Sequence, residues 1–231
     1  MKHPVYSRGT VAALCAVLAL PLAAGAQSVD PAALLAKHQA YVGWHAGDGS
    51  VKTLRLRGAA TRDGKTVATL RKLYYGYAHR DTLVDEHGIE VDHGFTGSIF
   101  WTTNHNGFTV RPAGEVVRYL ADVDAVFGEL TGGIGASFVR RETVDGADAV
   151  VLHLTPKAGF PLDVAVDPGT GAYRWATIDP GGKYETTVRN LAYTEVVGKR
   201  FLTSWRSGNG RTTYAYTTVE PNATIAPDDL R

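Results

Sequence analysis

Apolar residues recur along this chain with two periods. Leu34, Leu35, His38, Tyr41 and Val42 fall at i, i+1, i+4, i+7 and i+8, which is one face of an α-helix. Asp30 before Pro31 offers a cap and a first-turn proline, and Gly43 offers a stop. From Val51 the period changes to two. Leu54 and Leu56 alternate with Arg55 and Arg57, a strand with one buried face. Asp63-Gly64 is spaced as a hairpin turn. The next run, residues 67–78, carries apolar residues on both parities: Leu70, Leu73, Tyr74, Tyr75 and Tyr77. That predicts cover on both faces or a register shift near Gly76.

Residues 79–93 are polar, with a turn at Glu86-His87-Gly88, and read as a solvated strand-turn-strand edge. The stretch GFTGSIFWTT follows, with Ile99, Phe100 and Trp101 as an apolar strand placed in the middle of the sheet. Asn104-His105-Asn106-Gly107 turns it into a short strand, residues 108–110. Val116, Leu120, Val123, Phe127 and Leu130 form the stripe of an inserted helix over residues 115–130, stopped by Gly132-Gly133. Strand patterns then recur over 137–144, 149–155, 162–167, 172–178, 183–196, 200–206 and 211–219, punctuated by turn dipeptides such as Asp145-Gly146. About ten strands joined by tight turns predict a mainly β chain. It is a curved antiparallel meander, an unclosed barrel covered by the N-terminal helix and the inserted one. Its interior is either fully packed or a ligand cavity.

Composition narrows the function. Lys2, Arg8, an apolar run from Val11 to Leu22 and Ala24-Gly25-Ala26 read as a secretory signal peptide over residues 1–26, with one β domain over 27–231. The run is too short and alanine-rich for a convincing membrane span, so the chain is expected not to span a membrane after cleavage. The sole cysteine, Cys15, lies in that run behind Leu14, which argues against a lipobox. The mature chain then has no disulfide and no thiolate. The formal charge of +1 falls to near −1 when Lys2 and Arg8 leave, so nothing favours nucleic acid. The periplasm is the expected compartment, secretion the lesser alternative, and a monomer is assumed.

Catalytic and metal patterns are incomplete in this sequence. His79, Asp81, Asp85, Glu86, His87, Glu90, Asp92 and His93 are the richest cluster, but they lack H-E-x-x-H spacing and favour no metal. His38 reads as a core-edge histidine and His153 as facing water. Ser98 follows Gly97 without an elbow pattern. Gly132-Gly133-Ile134-Gly135 follows a helix, whereas a phosphate loop precedes one. No catalytic residue and no cofactor is expected.

The order of these elements, with Val166-Asp167-Pro168 turning into Gly171-Ala172-Tyr173 and the close on Val219-Glu220-Pro221-Asn222, resembles the lipoprotein-carrier (LolA/LolB-like) half-barrels. Leu230 stands where that family tends to end on phenylalanine. A closer flavour is the non-catalytic N-terminal domain of periplasmic aspartyl-protease-like proteins. Asp81-Thr82-Leu83 and Asp167-Pro168 do not supply the Asp-Thr/Ser-Gly that such catalysis needs. The resemblance implies a non-enzymatic domain taking a lipid, a lipoprotein acyl chain or another apolar ligand between sheet and helices. Cavity candidates are Leu54, Leu56, Tyr75, Tyr77, Trp101, Leu120, Phe127, Trp175 and Trp205. Carriers of this kind latch a lid with an arginine, which singles out Arg55, Arg57 and Arg71. The alternative is an accessory domain of a protease-type protein with a packed interior.

Overall fold

A computed structural model of the chain describes residues 29–45, 48–75, 78–84, 89–95, 99–104, 106–111, 134–156 and 160–230. The elements in chain order are α1 (Pro31–Val42), β1 (Thr53–Arg62), β2 (Lys65–Tyr75), β3 (Ala78–Val84), β4 (Glu90–Phe95), β5 (Phe100–Asn104) and β6 (Gly107–Arg111). There follow β7 (Gly135–Val144), β8 (Ala147–Thr155), β9 (Leu162–Val166), β10 (Tyr173–Ile178), β11 (Thr186–Val196), β12 (Lys199–Ser207) and β13 (Thr212–Pro221). All thirteen strands join one antiparallel sheet in the order β6-β5-β4-β3-β2-β1-β13-β12-β11-β10-β9-β8-β7. The sheet does not close into a barrel. Among the described residues α1 is the single α-helix, with a short 3-10 turn at Pro227–Leu230.

The mainly β, open antiparallel architecture is as the pattern predicts. The sheet holds thirteen strands where about ten were expected. The 67–78 run divides between β2 and β3, and residues 79–93 supply β3 and β4 as interior strands, not an edge. The GFTGSIFWTT stretch is not in the middle of the sheet. β5 lies beside the edge strand β6, and the centre is the β1–β13 pair. Residues 183–185 do not belong to β11. The Tyr184 N–H donates to Asp179 (2.9 Å) and the Gly181 N–H to Glu185 (2.6 Å), so this segment is a turn. The inserted helix predicted over residues 115–130 lies outside the described residues.

The predicted ends of α1 are both present. Asp30 Oδ1 accepts from the N–H groups of Ala32 (2.9 Å) and Ala33 (3.2 Å), and Gly43 takes φ 77° with its N–H on the Gln39 carbonyl. One face of the sheet, here the core face, carries a continuous apolar cluster that includes Leu54, Leu56, Leu152, Val164, Tyr173 and Trp205. Helix α1 docks on this face at the β9–β10 turn and the β11–β12 hairpin. Its Lys37 ammonium donates to the Pro168 carbonyl (2.6 Å), and Arg200 donates to the Tyr41 carbonyl (2.7 Å). Gly171 (φ 85°) lies so close to the helix that a Cβ there would meet the Lys37 carbonyl at 2.7 Å.

His38 is the central contact of this docking. It is fully buried, stacks on Tyr173 (3.5 Å between centroids, 5° between planes) and bonds the Gly171 carbonyl through Nδ1 at 2.8 Å. A carbonyl only accepts, so Nδ1 carries the proton and Nε2 is a bare lone pair. Burial pulls the pKa of His38 from 6.5 to about 4, against the smaller upward pull of the Gly171 bond.

Because the folded value is depressed, the neutral ring stabilises the fold fully above the unfolded value and less as pH falls toward 4. The loss reaches about 3 kcal/mol at most. Urea unfolding of wild type and His38→Phe at a series of pH values checks this. The wild type should lose more stability than the variant between pH 6.5 and 4, and parallel curves would contradict it.

Candidate functional site

Strand pleat sorts the candidate residues onto two faces. Leu54, Leu56 and Trp205 come together on the core face with Tyr74, Tyr214 and Tyr216. Trp205 stacks on Tyr214 (4.9 Å, 11°) and sits 5.7 Å from the Tyr216 ring. This is an aromatic-rich, buried part of the core built from β1, β2, β12 and β13.

Trp101 and Trp175 do not join it. Trp101 lies directly across from Gly94, itself across from Arg80, so it belongs to the outer face. There it stacks on Phe108 (6.1 Å), and the Arg80 guanidinium lies 5.5 Å from its ring. Trp175 packs on Ala149, Val151 and Ala165, also opposite the main cluster, and its indole N–H donates to Glu142 at 2.7 Å. Tyr75 is in β2, but its side chain lies outside the described residues, as do Tyr77, Leu120 and Phe127 entirely.

The three arginines share the outer face as well, because they alternate with Leu54, Leu56 and Leu70. Arg55 donates to Glu220 (3.0 Å) and to the Thr224 carbonyl, and Arg71 reaches Asp229 at 3.9 Å. Arg57 is exposed. Arg55 and Arg71 are thus placed to hold the C-terminal segment, residues 222–230, not anything on the core face. That segment crosses β1 to β3. The Asn222 N–H donates to the Thr53 carbonyl (2.7 Å), Thr53 Oγ1 donates to the Ala223 carbonyl (2.6 Å), and Ile225 packs on Leu73. Cover on both faces therefore accounts for the two apolar parities of β2.

The polar cluster of residues 79–93 is not a solvated edge. Lys72, Asp81 and His93 are directly opposed on β2, β3 and β4, in one row across the core face, and the row continues to Thr102 on β5. They are 1, 4 and 8 % exposed. His93 Nε2 lies 4.0 Å from Asp81 Oδ2. Burial raises the Tyr216 hydroxyl well above 10, and the Asp81 carboxylate and Tyr214 add to the rise, so Tyr216 joins the group. Of the rest, Asp92 accepts two bonds from Arg80 (3.0 and 2.5 Å) on the outer face, and Glu90 is exposed. Asp85, Glu86, His87 and the side chain of His79 lie outside the described residues. His153 is half-exposed and paired with Asp163 at 2.7 Å. Among the described residues, no three His, Cys, Asp or Glu side chains are grouped to hold a metal ion.

Sequence reading missed the row, although a signal was present. Lys72 sits at a core parity between Leu70 and Tyr74, and His93 between Val91 and Phe95. An ionisable residue that interrupts an apolar alternation is the mark of a buried polar site.

No family model matches the chain, and no curated protein matches it. Solved structures do. A putative outer membrane lipoprotein-sorting protein domain from Vibrio parahaemolyticus aligns at TM-score 0.50 and 11 % identity, covering 87 % of this chain and 95 % of its own. A DUF1329 family protein from Desulfovibrio piger aligns at TM-score 0.50 and 16 % identity, covering 88 % and 98 %. The chain shares its fold with these two solved structures. A LolA-superfamily protein from Nitrosomonas europaea gives 0.49 at 13 % identity, covering 88 % and 98 %. At such identities the likeness concerns the fold alone.

The C-terminal segment should behave as part of the sheet. Ile225→Ala removes a buried side chain and is expected to cost about 2 kcal/mol. Deleting residues 222–231 should cost more and speed proteolysis of β1 to β3. Urea denaturation and limited proteolysis measure both, and unchanged stability in the deletion would contradict the placement.

Proposed function

We propose that the chain is an exported, periplasmic, non-catalytic domain that holds a lipid, a lipoprotein acyl chain or another apolar ligand against the core face. The observation that carries this reading is the aromatic-rich part of the core face formed by Leu54, Leu56, Tyr74, Trp205, Tyr214 and Tyr216. The hydrogen bonds and ring contacts of α1 are made at Pro168, Gly171, Tyr173, Tyr193 and Arg200, none of them among these six residues. Apolar ligand area placed there would gain about 25 cal/mol per Å². The fold supports the same reading, since it is shared with a structure described as an outer membrane lipoprotein-sorting protein domain.

In this reading residues 1–26 are a cleaved signal and residues 27–231 a single β domain. Among the described residues no helix is long and apolar enough to cross a membrane. The other reading, an accessory domain of an aspartyl-protease-type protein, needs a packed core and no ligand.

Native mass spectrometry of protein purified from the periplasm without detergent separates the two. The expected spectrum shows an adduct of lipid mass that organic extraction removes. A ligand-free mass throughout, under gentle ionisation, would sink the carrier reading and leave the accessory domain.

A further inference from the structure

The outer face of the sheet carries two pairs of arginines set directly against each other. Arg57 of β1 lies opposite Arg71 of β2, and Arg189 of β11 lies opposite Arg206 of β12. Like charges at opposed positions destabilise a sheet, so the pairing of the strands does not account for either pair. The acids of this face are engaged with other groups. Glu220 accepts from Arg55, Asp92 from Arg80 and Glu142 from Arg140, while Asp163 is bonded to His153. Asp229 reaches Arg71 at 3.9 Å. Arg206 donates through Nε to the Gly210 carbonyl (2.6 Å). Among the described residues, the guanidinium groups of Arg57 and Arg189 have no hydrogen bond or ion pair. A guanidinium is always charged, so Arg57, Arg189 and Arg206 each present a positive charge with no acid beside it.

The two pairs border one stretch of this face. Ser204, Ala215 and Ala59 form a row across β12, β13 and β1, and Thr213 and Thr61 continue the row of Arg189 and Arg206. None of these five positions holds an acid. Ser204, Ala215 and Ala59 are half-buried and short, whereas Arg57, Arg189 and Arg206 are exposed, so the arginines stand above the floor between them. From Arg57 to Arg206 is four residues along β1 and two strands across, roughly 16 Å by strand geometry. One small anion does not bridge that span. A plane of separate anions does, and the guanidinium fork binds phosphate oxygens two at a time.

We infer that this part of the outer face docks on an anionic phospholipid surface, with Arg57, Arg71, Arg189 and Arg206 on its phosphates. The negative surface relieves the repulsion within both arginine pairs at once. The contact is electrostatic and reversible, and no bond is made or broken. Docking uses the side of the sheet opposite the core face, so it stands whether or not the core face holds a ligand.

Vesicle flotation tests the docking, with phosphatidylcholine alone compared with phosphatidylcholine carrying about 30 % phosphatidylglycerol. The anionic vesicles should bind the protein about ten-fold more tightly, and the difference should vanish as sodium chloride rises to about 0.5 M. Arg57→Gln combined with Arg189→Gln should weaken binding to the anionic vesicles about ten-fold. Lys183→Gln combined with Lys199→Gln removes the same charge away from the two pairs and should leave binding within about two-fold of wild type. The comparison of vesicles and salt on the wild type needs no variant, so it stands even if a variant fails to fold. Equal binding to both vesicles overturns the docking, and so does binding to neither, which would leave an acidic protein as the counterpart of these arginines. An arginine variant that binds like wild type, or a lysine variant that loses as much as the arginine one, overturns this face as the site.

Discussion

The whole sheet depends on the pairing of β1 with β13. These two strands lie far apart in the sequence and side by side at the centre, with Leu54 opposite Pro221 and Arg62 opposite Thr212. Every other strand hangs from this seam in two meanders, β1 out to β6 and β13 back to β7. The register slips once along the seam, between Arg57 and Gly58. At Gly58 a Cβ would fall 1.9 Å from the Ala215 carbonyl oxygen, so only a residue without a side chain lets the two backbones meet there. Closing so long a loop before any seam bond forms is entropically costly.

Local chemistry made much of the fold legible. Asp30 and Gly43 bracket α1 as their types require, and the Asp63-Gly64 turn takes φ 50° and 78°, the left-handed pair of a tight hairpin. The strands from β7 to β13 follow their turn dipeptides to within a few residues. What could not be read was the position of each strand in the sheet. Nothing in the alternation of Leu54 and Leu56 says that β1 pairs with β13, a contact set by the whole topology. With the seam unknown, the aromatic strand at Trp101 looked central and the polar residues 79–93 looked peripheral. The opposite holds, because β5 lies next to an edge while β3 and β4 are covered on both sides by neighbours.

The site was less legible than the fold for a related reason. Hydrophobicity marks buried residues but not which face buries them. Trp101, Trp175 and Trp205 look alike in sequence, yet only Trp205 joins the main core. The other two pack on the outer face with an arginine near the ring (5.5 Å for Arg80 and 5.8 Å for Arg140). Arg55 and Arg71 seemed suited to a lid and instead hold the C-terminal segment. Lys72 is hard to recognise in sequence because a lysine in a strand is normally solvent-facing. Its parity, shared with Leu70 and Tyr74, was the better guide.

The two edge strands, β6 and β7, are neighbours in sequence but stand at opposite ends of the sheet. Residues 112–134 are therefore a tether between the two rims. Laid flat, thirteen strands at about 4.8 Å spacing would set the rims roughly 58 Å apart. Fully extended, those residues could reach about 80 Å. The chain length between the rims therefore bounds how far apart they can stand, and thirteen strands laid flat would already use most of that reach.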